Sequence, residues 1–398
     1  MSLQDTPRAN RLHIGLFGRR NSGKSSLVNA LTNQQISLVS DVAGTTTDPV
    51  YKSMEIYGIG PCVFIDTAGY DDVGALGAMR VEKTRHAGEK TDIALIVCSG
   101  ADLEEEIKWL EDFKSSKTPV VLVLNKTDEH GSLTEQLADS IEKSTGLRPV
   151  PVSAKERAGI EQLRAAILAA LPEDYEQRTI TGGLVDAGDT VLLVMPQDIQ
   201  APKGRLILPQ VQTIRDLLDK KCIVISSTAD KFEAALQAMK EPPALIVTDS
   251  QVFPLVYDKK PAASRLTSFS VLFARYKGDV DFFTDSVKQM EKLSEDAHVL
   301  IAEACTHAPL GEDIGRVQIP RLLRQRFGTG IKITTVSGPD FPDDLSVYDL
   351  VIHCGACMFN RKYVLARAQK AKGENIPMTN YGIFLAYMAG ILDKIDGK

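Results

Sequence analysis

Half of the chain's 6 cysteines fall in two short stretches, Cys305-Thr306-His307 and His353-Cys354-Gly355-Ala356-Cys357. Thiolates are soft ligands that select zinc, copper(I) or iron–sulfur clusters. Three Cys with two nearby His therefore describe a metal or cluster site in which one ligand is not a thiolate. A Cys-x-x-Cys pair alone would also suit a redox couple, but Cys305 would then be unexplained. Cys305, Cys354, Cys357 and one His would close a zinc site. An iron–sulfur cluster on three Cys, with its fourth iron open to a weaker ligand, uses the same residues. Cys62, Cys98 and Cys222 lie inside or beside apolar runs and are expected to pack as small hydrophobes.

A second chemistry sits at the other end of the chain. Gly18-Arg19-Arg20-Asn21-Ser22-Gly23-Lys24-Ser25 lies between a strand-like run and a helix-like one, the context that turns a glycine pattern into a phosphate loop. Backbone N–H groups around Gly18, Ser22, Gly23 and Ser26 would close on the phosphates. Lys24 would reach the β- and γ-phosphates, and the Ser25 hydroxyl would bind Mg2+. Asp66-Thr67-Ala68-Gly69 follows another strand, placing Asp66 for a water-mediated Mg2+ contact and Gly69 as a γ-phosphate sensor. Asn125-Lys126-Thr127-Asp128 ends a buried run, and the Asp128 carboxylate can accept hydrogen bonds from N1 and N2 of guanine. Ser153-Ala154-Lys155 is placed to support the same base. Four motifs in this order specify GTP rather than ATP.

Tyr70 stands where Ras-like proteins place the glutamine that orients water, so hydrolysis is expected to be slow. Asn21 and the run Thr45-Thr46-Thr47 resemble the tRNA-modification GTPases, which use a potassium ion near the phosphates. That resemblance implies that Asn21 helps ligate K+ and that Thr46 is the switch contact to Mg2+. Lys24, Thr46, Asp66 and Gly69 form the expected catalytic set.

These residues need elements to hold them. Apolar runs at 13–17, 63–65, 93–97 and 120–124 alternate with helical spacing at 25–31 and 103–114. The fold class this predicts is α/β: a P-loop GTPase domain over 1–175, with a mostly parallel sheet and helices on both faces. Two further α/β domains are expected, over 176–266 and 267–398. The middle one offers strands at 191–195, 222–226 and 244–247, too few for a large core of its own, so docking onto a second copy is expected. Beyond it, strands are expected at 298–302, 331–336 and 350–353, and a helix at 361–372.

Composition narrows the class. A formal net charge of −6 argues against nucleic acid as the main partner, because binding to phosphate backbones needs a basic face. No run approaches the roughly 20 apolar residues of a membrane span, and residues 1–11 lack the apolar stretch of a secretory signal. The expected setting is the cytoplasm, where paired cysteines point to metal or redox chemistry rather than disulfides. The acidic run Glu104-Glu105-Glu106 is expected to suit a helix N-terminus and need no partner.

Taken with Met358-Phe359-Asn360-Arg361-Lys362 and Thr379-Asn380-Tyr381-Gly382, the cysteine pattern resembles the HydF family of hydrogenase-maturation GTPases. The resemblance spans the whole chain. It implies a middle dimerisation domain and a homodimer, and a 4Fe-4S cluster on Cys305, Cys354 and Cys357. It further implies a scaffold or carrier that receives a diiron precursor from radical-SAM partner enzymes and passes it to apo-FeFe-hydrogenase. His307 and Glu312 stand level as candidates for the fourth ligand. His353 falls behind them as a donor to the cluster sulfurs, because neighbouring side chains at a strand end point to opposite faces. The rival from another class is an RNA- or ribosome-associated regulatory GTPase with a zinc-binding C-terminal domain.

Overall fold

The computed structural model describes residues 7–32, 49–56, 58–67, 75–172, 175, 178–196, 206–304 and 313–397, with the side chains of 75–80 excepted. The candidates Thr46, Gly69, Cys305, His307 and Glu312 lie outside the described residues, as does Tyr70. The chain divides into two compact units, 1–176 and 177–398.

The first unit is built on six strands: β1 Leu12–Phe17, β2 Val50–Ile56, β3 Gly60–Asp66, β4 Ile93–Cys98, β5 Val120–Leu124 and β6 Val150–Pro151. Their order in the sheet is β2-β3-β1-β4-β5-β6, and only the β2–β3 pair is antiparallel among them. Every residue of β1 and β4 is buried, as expected of central parallel strands covered on both faces. Leu12, Ile14 and Leu16 join one apolar cluster with Leu27, Val28, Leu163 and Ile167, while Phe17 joins Leu110, Phe113 and Ile141 in another. This two-sided core leaves the strand ends free to present the loops that follow β1 and β5, with the end of β3, at one edge, the place where parallel sheets bind ligands.

The second unit holds two four-stranded parallel sheets. One comprises β7 Thr190–Val194, β8 Ile223–Ser227, β9 Leu245–Thr248 and β10 Arg265–Ser268, in the order β10-β9-β7-β8. The other comprises β11 His298–Glu303, β12 Lys332–Ser337, β13 Leu350–His353 and β14 Met378–Asn380, in the order β12-β11-β13-β14. The expected boundary between 266 and 267 falls inside β10, which pairs with β9 through Ser268↔Thr248. The middle sheet was expected to look to a second copy for its core, but much of that core comes from the same unit. Leu192, Val194 and Ile246 share one continuous apolar cluster with Leu300, Ile352 and Phe384. Alternate residues Val191, Leu193 and Val247 face the other way onto Leu272 and Phe273. Period-two alternation thus gives each face of this sheet its own partner.

The helix Phe269–Lys277 joins the two sheets. Ser268 caps its N-terminus by accepting from the Val271 N–H, and five of its apolar residues are buried.

Candidate functional site

The phosphate loop leaves β1 at a glycine that has no room for a side chain. A Cβ on Gly18 would lie 2.2 Å from the Val97 carbonyl oxygen, on the neighbouring strand β4. The loop closes around its own lysine: Lys24 is 7% exposed, and its Nζ donates to the carbonyls of Gly18 at 2.7 Å and Arg19 at 2.8 Å. Asn21 is exposed and takes a left-handed φ of 61°, a conformation that asparagine tolerates better than most residues. Lys24 then opens the helix Lys24–Thr32, with Ser25 and Ser26 exposed in its first turn.

Parallel pairing sets Asp66 opposite Leu16, and the Thr67 hydroxyl donates to the Leu16 carbonyl at 2.5 Å. This brings the end of β3 to the start of the helix, where Ser25 Oγ donates to Asp66 Oδ2 at 2.6 Å. A hydroxyl and a carboxylate in contact beside a phosphate loop fit the hard oxygen preference of Mg2+.

Asn125 ties the phosphate loop to the base-recognition loops. It is 2% exposed, its Nδ2 donates to the Ser22 carbonyl at 2.9 Å, and its Oδ1 accepts from the Ala154 N–H at 3.1 Å. A Cβ on Gly23, which has φ +90°, would lie 2.2 Å from Asn125 Nδ2, so the second glycine is what lets the amide approach. Lys126 follows with a left-handed φ of 65°. Asp128 accepts from Ser153 Oγ at 2.6 Å, and Lys155 Nζ stands 4.0 Å from its other oxygen. The Ser153 hydroxyl, foremost, holds the Asp128 carboxyl below the usual carboxylate range, ready to accept from a guanine edge.

One contact was not expected. Arg19 makes two hydrogen bonds to Asp102, at 2.6 and 2.9 Å, and its Nε lies 3.3 Å from Glu106. Glu106 is 2% exposed, and burial pushes its carboxyl above the usual range. The acidic run thus does have a partner, and it fastens the phosphate loop to the start of the helix Glu104–Ser115. Nothing local in the sequence marks a pairing that spans more than 80 residues.

In the second unit, β13 ends at His353 and the chain turns through Cys354, Gly355, Ala356 and Cys357. The Cys354 N–H donates to the Ala302 carbonyl at 2.9 Å, which anchors the turn to β11. The Cys354 sulfur accepts backbone N–H groups from Ala304 at 2.9 Å and Ala356 at 3.4 Å. Two amides aimed at one sulfur suit a thiolate, and they are the kind of donor that tunes iron–sulfur clusters. Ala304 is the last described residue before Cys305 in the sequence. Among the described residues no three His, Cys, Asp or Glu converge as a metal-binding group. As a free thiol, Cys354 is pushed up to about 11 by burial, against the pull of those amides. The donor set fits a cluster: a Cys354 sulfur with two backbone donors, in a cavity of about 240 Å³ that Cys357, Ile314, Tyr381 and Leu385 also line.

His353 is fully buried, and its two ring nitrogens are both engaged. Nε2 lies 2.9 Å from Arg367 Nη1, which can only donate, so Nδ1 carries the proton and donates to the Cys354 carbonyl at 2.8 Å. Burial, then the Arg367 charge, pushes the imidazole down to about 3. In the place of the expected sulfur donor, the structure shows a residue that holds the backbone of the cysteine loop. Arg367 is itself 3% exposed and lies 4.5–4.7 Å from the rings of Phe341, Phe359 and Tyr363.

Cys62 and Cys98 are buried and pushed up to about 12, with burial the main cause; Cys222 is buried and shifted in the same direction. All three pack as hydrophobes. No helix among the described residues is long and apolar enough to cross a membrane.

Three family models match the chain in succession. Residues 13–126 match the 50S ribosome-binding GTPase model, 180–278 the hydrogen maturase F dimerization domain, and 281–395 the hydrogen maturase F tetramerization domain. Over 181 residues the chain is 39% identical to GTPase Der of Wolinella succinogenes, covering 43% of this chain and 38% of that one. Over 159 residues it is 35% identical to the tRNA modification GTPase MnmE of Chromobacterium violaceum, covering 39% and 34%. The chain thus spans well under half the length of either relative. Among solved structures, Era in complex with MgGDPNP and nucleotides 1506-1542 of 16S ribosomal RNA aligns at 20% identity, with a TM-score of 0.37, over 57% of this chain and 97% of its own. The two maturase models together cover more than half of the chain, and the motif geometry before them is that of a P-loop GTPase domain. This chain belongs to the hydrogen maturase F (HydF) family.

Proposed function

We propose that the protein is a GTP-hydrolysing scaffold or carrier of hydrogenase maturation. In this reading it binds a 4Fe-4S cluster through Cys305, Cys354 and Cys357, with His307 or Glu312 as the fourth ligand. It assembles or delivers a diiron precursor, received from radical-SAM enzymes, to apo-FeFe-hydrogenase. The observation that carries the reading is the Cys354 sulfur, held by two backbone amides within the maturase region of a chain that also presents the phosphate-loop and base-recognition motifs of a GTPase.

At the nucleotide end, Lys24 leaves the Gly18 and Arg19 carbonyls to meet the β- and γ-phosphates. Ser25 and Asp66, already in contact, would hold Mg2+, with Thr46 as the switch contact and Gly69 as the γ-phosphate sensor. Asn21 would supply an oxygen to K+. Asp128 selects guanine, supported by Ser153, Ala154 and Lys155. The cluster, when bound, supplies an iron with an exchangeable position; the chain's residues orient the thiols, shield them and keep the loop in place. GTP and GDP states regulate partner association only if they differ in affinity for that partner. The active form is a homodimer or a higher assembly in the cytoplasm.

Separate variants test the modular part. Replacing Cys354 and Cys357 together with Cys305 by Ala should abolish iron binding and leave GTP turnover within about twofold of wild type. Lys24→Ala should do the reverse. Loss of both properties in both variants would contradict the reading.

A further inference from the structure

We infer that Lys277 is the positioning cation of the cysteine loop: it fixes the turn between Cys354 and Cys357 and places a buried positive charge against the backbone that carries them. The inference rests on the cluster reading above for its redox consequence, though not for its structural one.

Lys277 is the last residue of the helix Phe269–Lys277 and is only 1% exposed. An ammonium has three protons to donate, and burying it is tolerable only when they find acceptors. Here three carbonyls of one short segment receive Nζ: Ala356 at 3.0 Å, Cys357 at 3.3 Å and Phe359 at 2.9 Å. The helix's own C-terminal dipole also favours a cation at this position.

The loop needs such a hold. Ala356 has a left-handed φ of 52°, a conformation unfavourable to a residue with a Cβ. Strain of this kind persists only where the surroundings over-determine it. The Ala356 carbonyl is one of the three to which Lys277 donates, so the ammonium fastens the turn at its strained residue. The junction is reciprocal, because Arg361 Nη1 donates back to the carbonyls of Tyr276 at 3.1 Å and Gly278 at 2.9 Å. Lys277 belongs to the stretch matching the dimerization model, and the loop to the stretch matching the tetramerization model. The contact is therefore where a shift of one module would reach the thiols of the other.

The charge has a definite sign of effect. Interactions between charges strengthen in a dry interior. A cation beside a thiolate-bound cluster stabilises the more negative, reduced state and so raises its midpoint potential.

The experiment uses the full chain in two forms. In the iron-free protein, hydrogen exchange of peptides spanning 354–360 is compared between wild type, Lys277→Met and Lys277→Gln, with β11 and β13 as internal controls. The Met variant should exchange this loop at least about tenfold faster while both strands stay protected. After anaerobic incubation with iron and sulfide, the midpoint potential should be more negative in both variants. The Gln variant, which keeps a donor and drops the charge, separates the charge from the hydrogen bonds and serves if the Met variant loses strand protection. Loop exchange and midpoint equal to wild type in the Gln variant, or in a Met variant with protected strands, would overturn the inference. A wild-type chain that takes up no iron would instead sink the cluster reading, and the exchange comparison would still decide the role of Lys277.

Discussion

Asn125→Ala is the perturbation with the widest reach for its size. The side chain is 2% exposed and joins two loops that are far apart in sequence, through the Ser22 carbonyl and the Ala154 N–H. Truncation leaves the buried Ser22 carbonyl and the half-buried Ala154 N–H without this partner. Each such loss costs about 1–3 kcal/mol, so the two together amount to roughly 2–6 kcal/mol. Against a typical domain stability of about 5–15 kcal/mol, that is a large fraction. The chain has 1 Trp, Trp109, whose ring lies 5.0 Å from that of Phe17, the residue just before the phosphate loop. Trp fluorescence during urea unfolding of the full chain therefore reports the first unit alone. The expected result is a lower midpoint with an unchanged slope, and GTP binding weaker by at least about tenfold, the equivalent of 1.4 kcal/mol. A destabilisation below about 0.5 kcal/mol, the range of neutral surface changes, would refute the idea that this amide couples the loops.

Glu106→Gln should act through pH. Burial raises the folded-state pKa of Glu106, so its contribution to stability is full below the ordinary carboxylate value and is lost as pH rises through the raised one. The variant should match wild type near pH 4 and have the higher Tm at pH 8; a wild type that is the more stable at pH 8 would show that the Arg19 pair outweighs burial. Asp128→Asn replaces one of two acceptors with a donor, so it should weaken GTP and favour xanthosine triphosphate, whose O2 accepts where guanine donates; unchanged selectivity in competition binding would count against this assignment. Turnover should be several-fold faster in K+ than in Na+, and Asn21→Ala should erase the difference; equal rates in wild type would dismiss the ion.

The parts legible in the sequence were those written contiguously. The phosphate loop and the Asn125–Asp128 run each follow a buried, largely apolar strand, and β5 and β13 fall at the expected residues. β2, Val50–Ile56, escaped notice because it mixes Tyr, Lys, Ser and Glu and is only partly buried at the sheet's edge. β10 and β14, of 4 and 3 residues, are too short to show a period. The helix Phe269–Lys277 buries Phe269, Val271, Leu272, Phe273, Ala274 and Lys277, so it carries no polar stripe from which to read a face. Long-range polar contacts were the least legible. Nothing near Lys277 foretells three carbonyls about 80 residues away, and nothing near Arg19 foretells a buried Glu106.

The central claim is that the cysteine loop of this GTPase holds an iron–sulfur cluster. The most direct test is anaerobic reconstitution of the full chain with iron and sulfide, followed by iron counting, absorbance and EPR of the reduced protein. The account predicts about four irons per chain, a brown protein and a reduced-cluster signal, all lost when Cys354 and Cys357 are replaced by Ala. A colourless protein that binds one zinc tightly and gives no signal would contradict it.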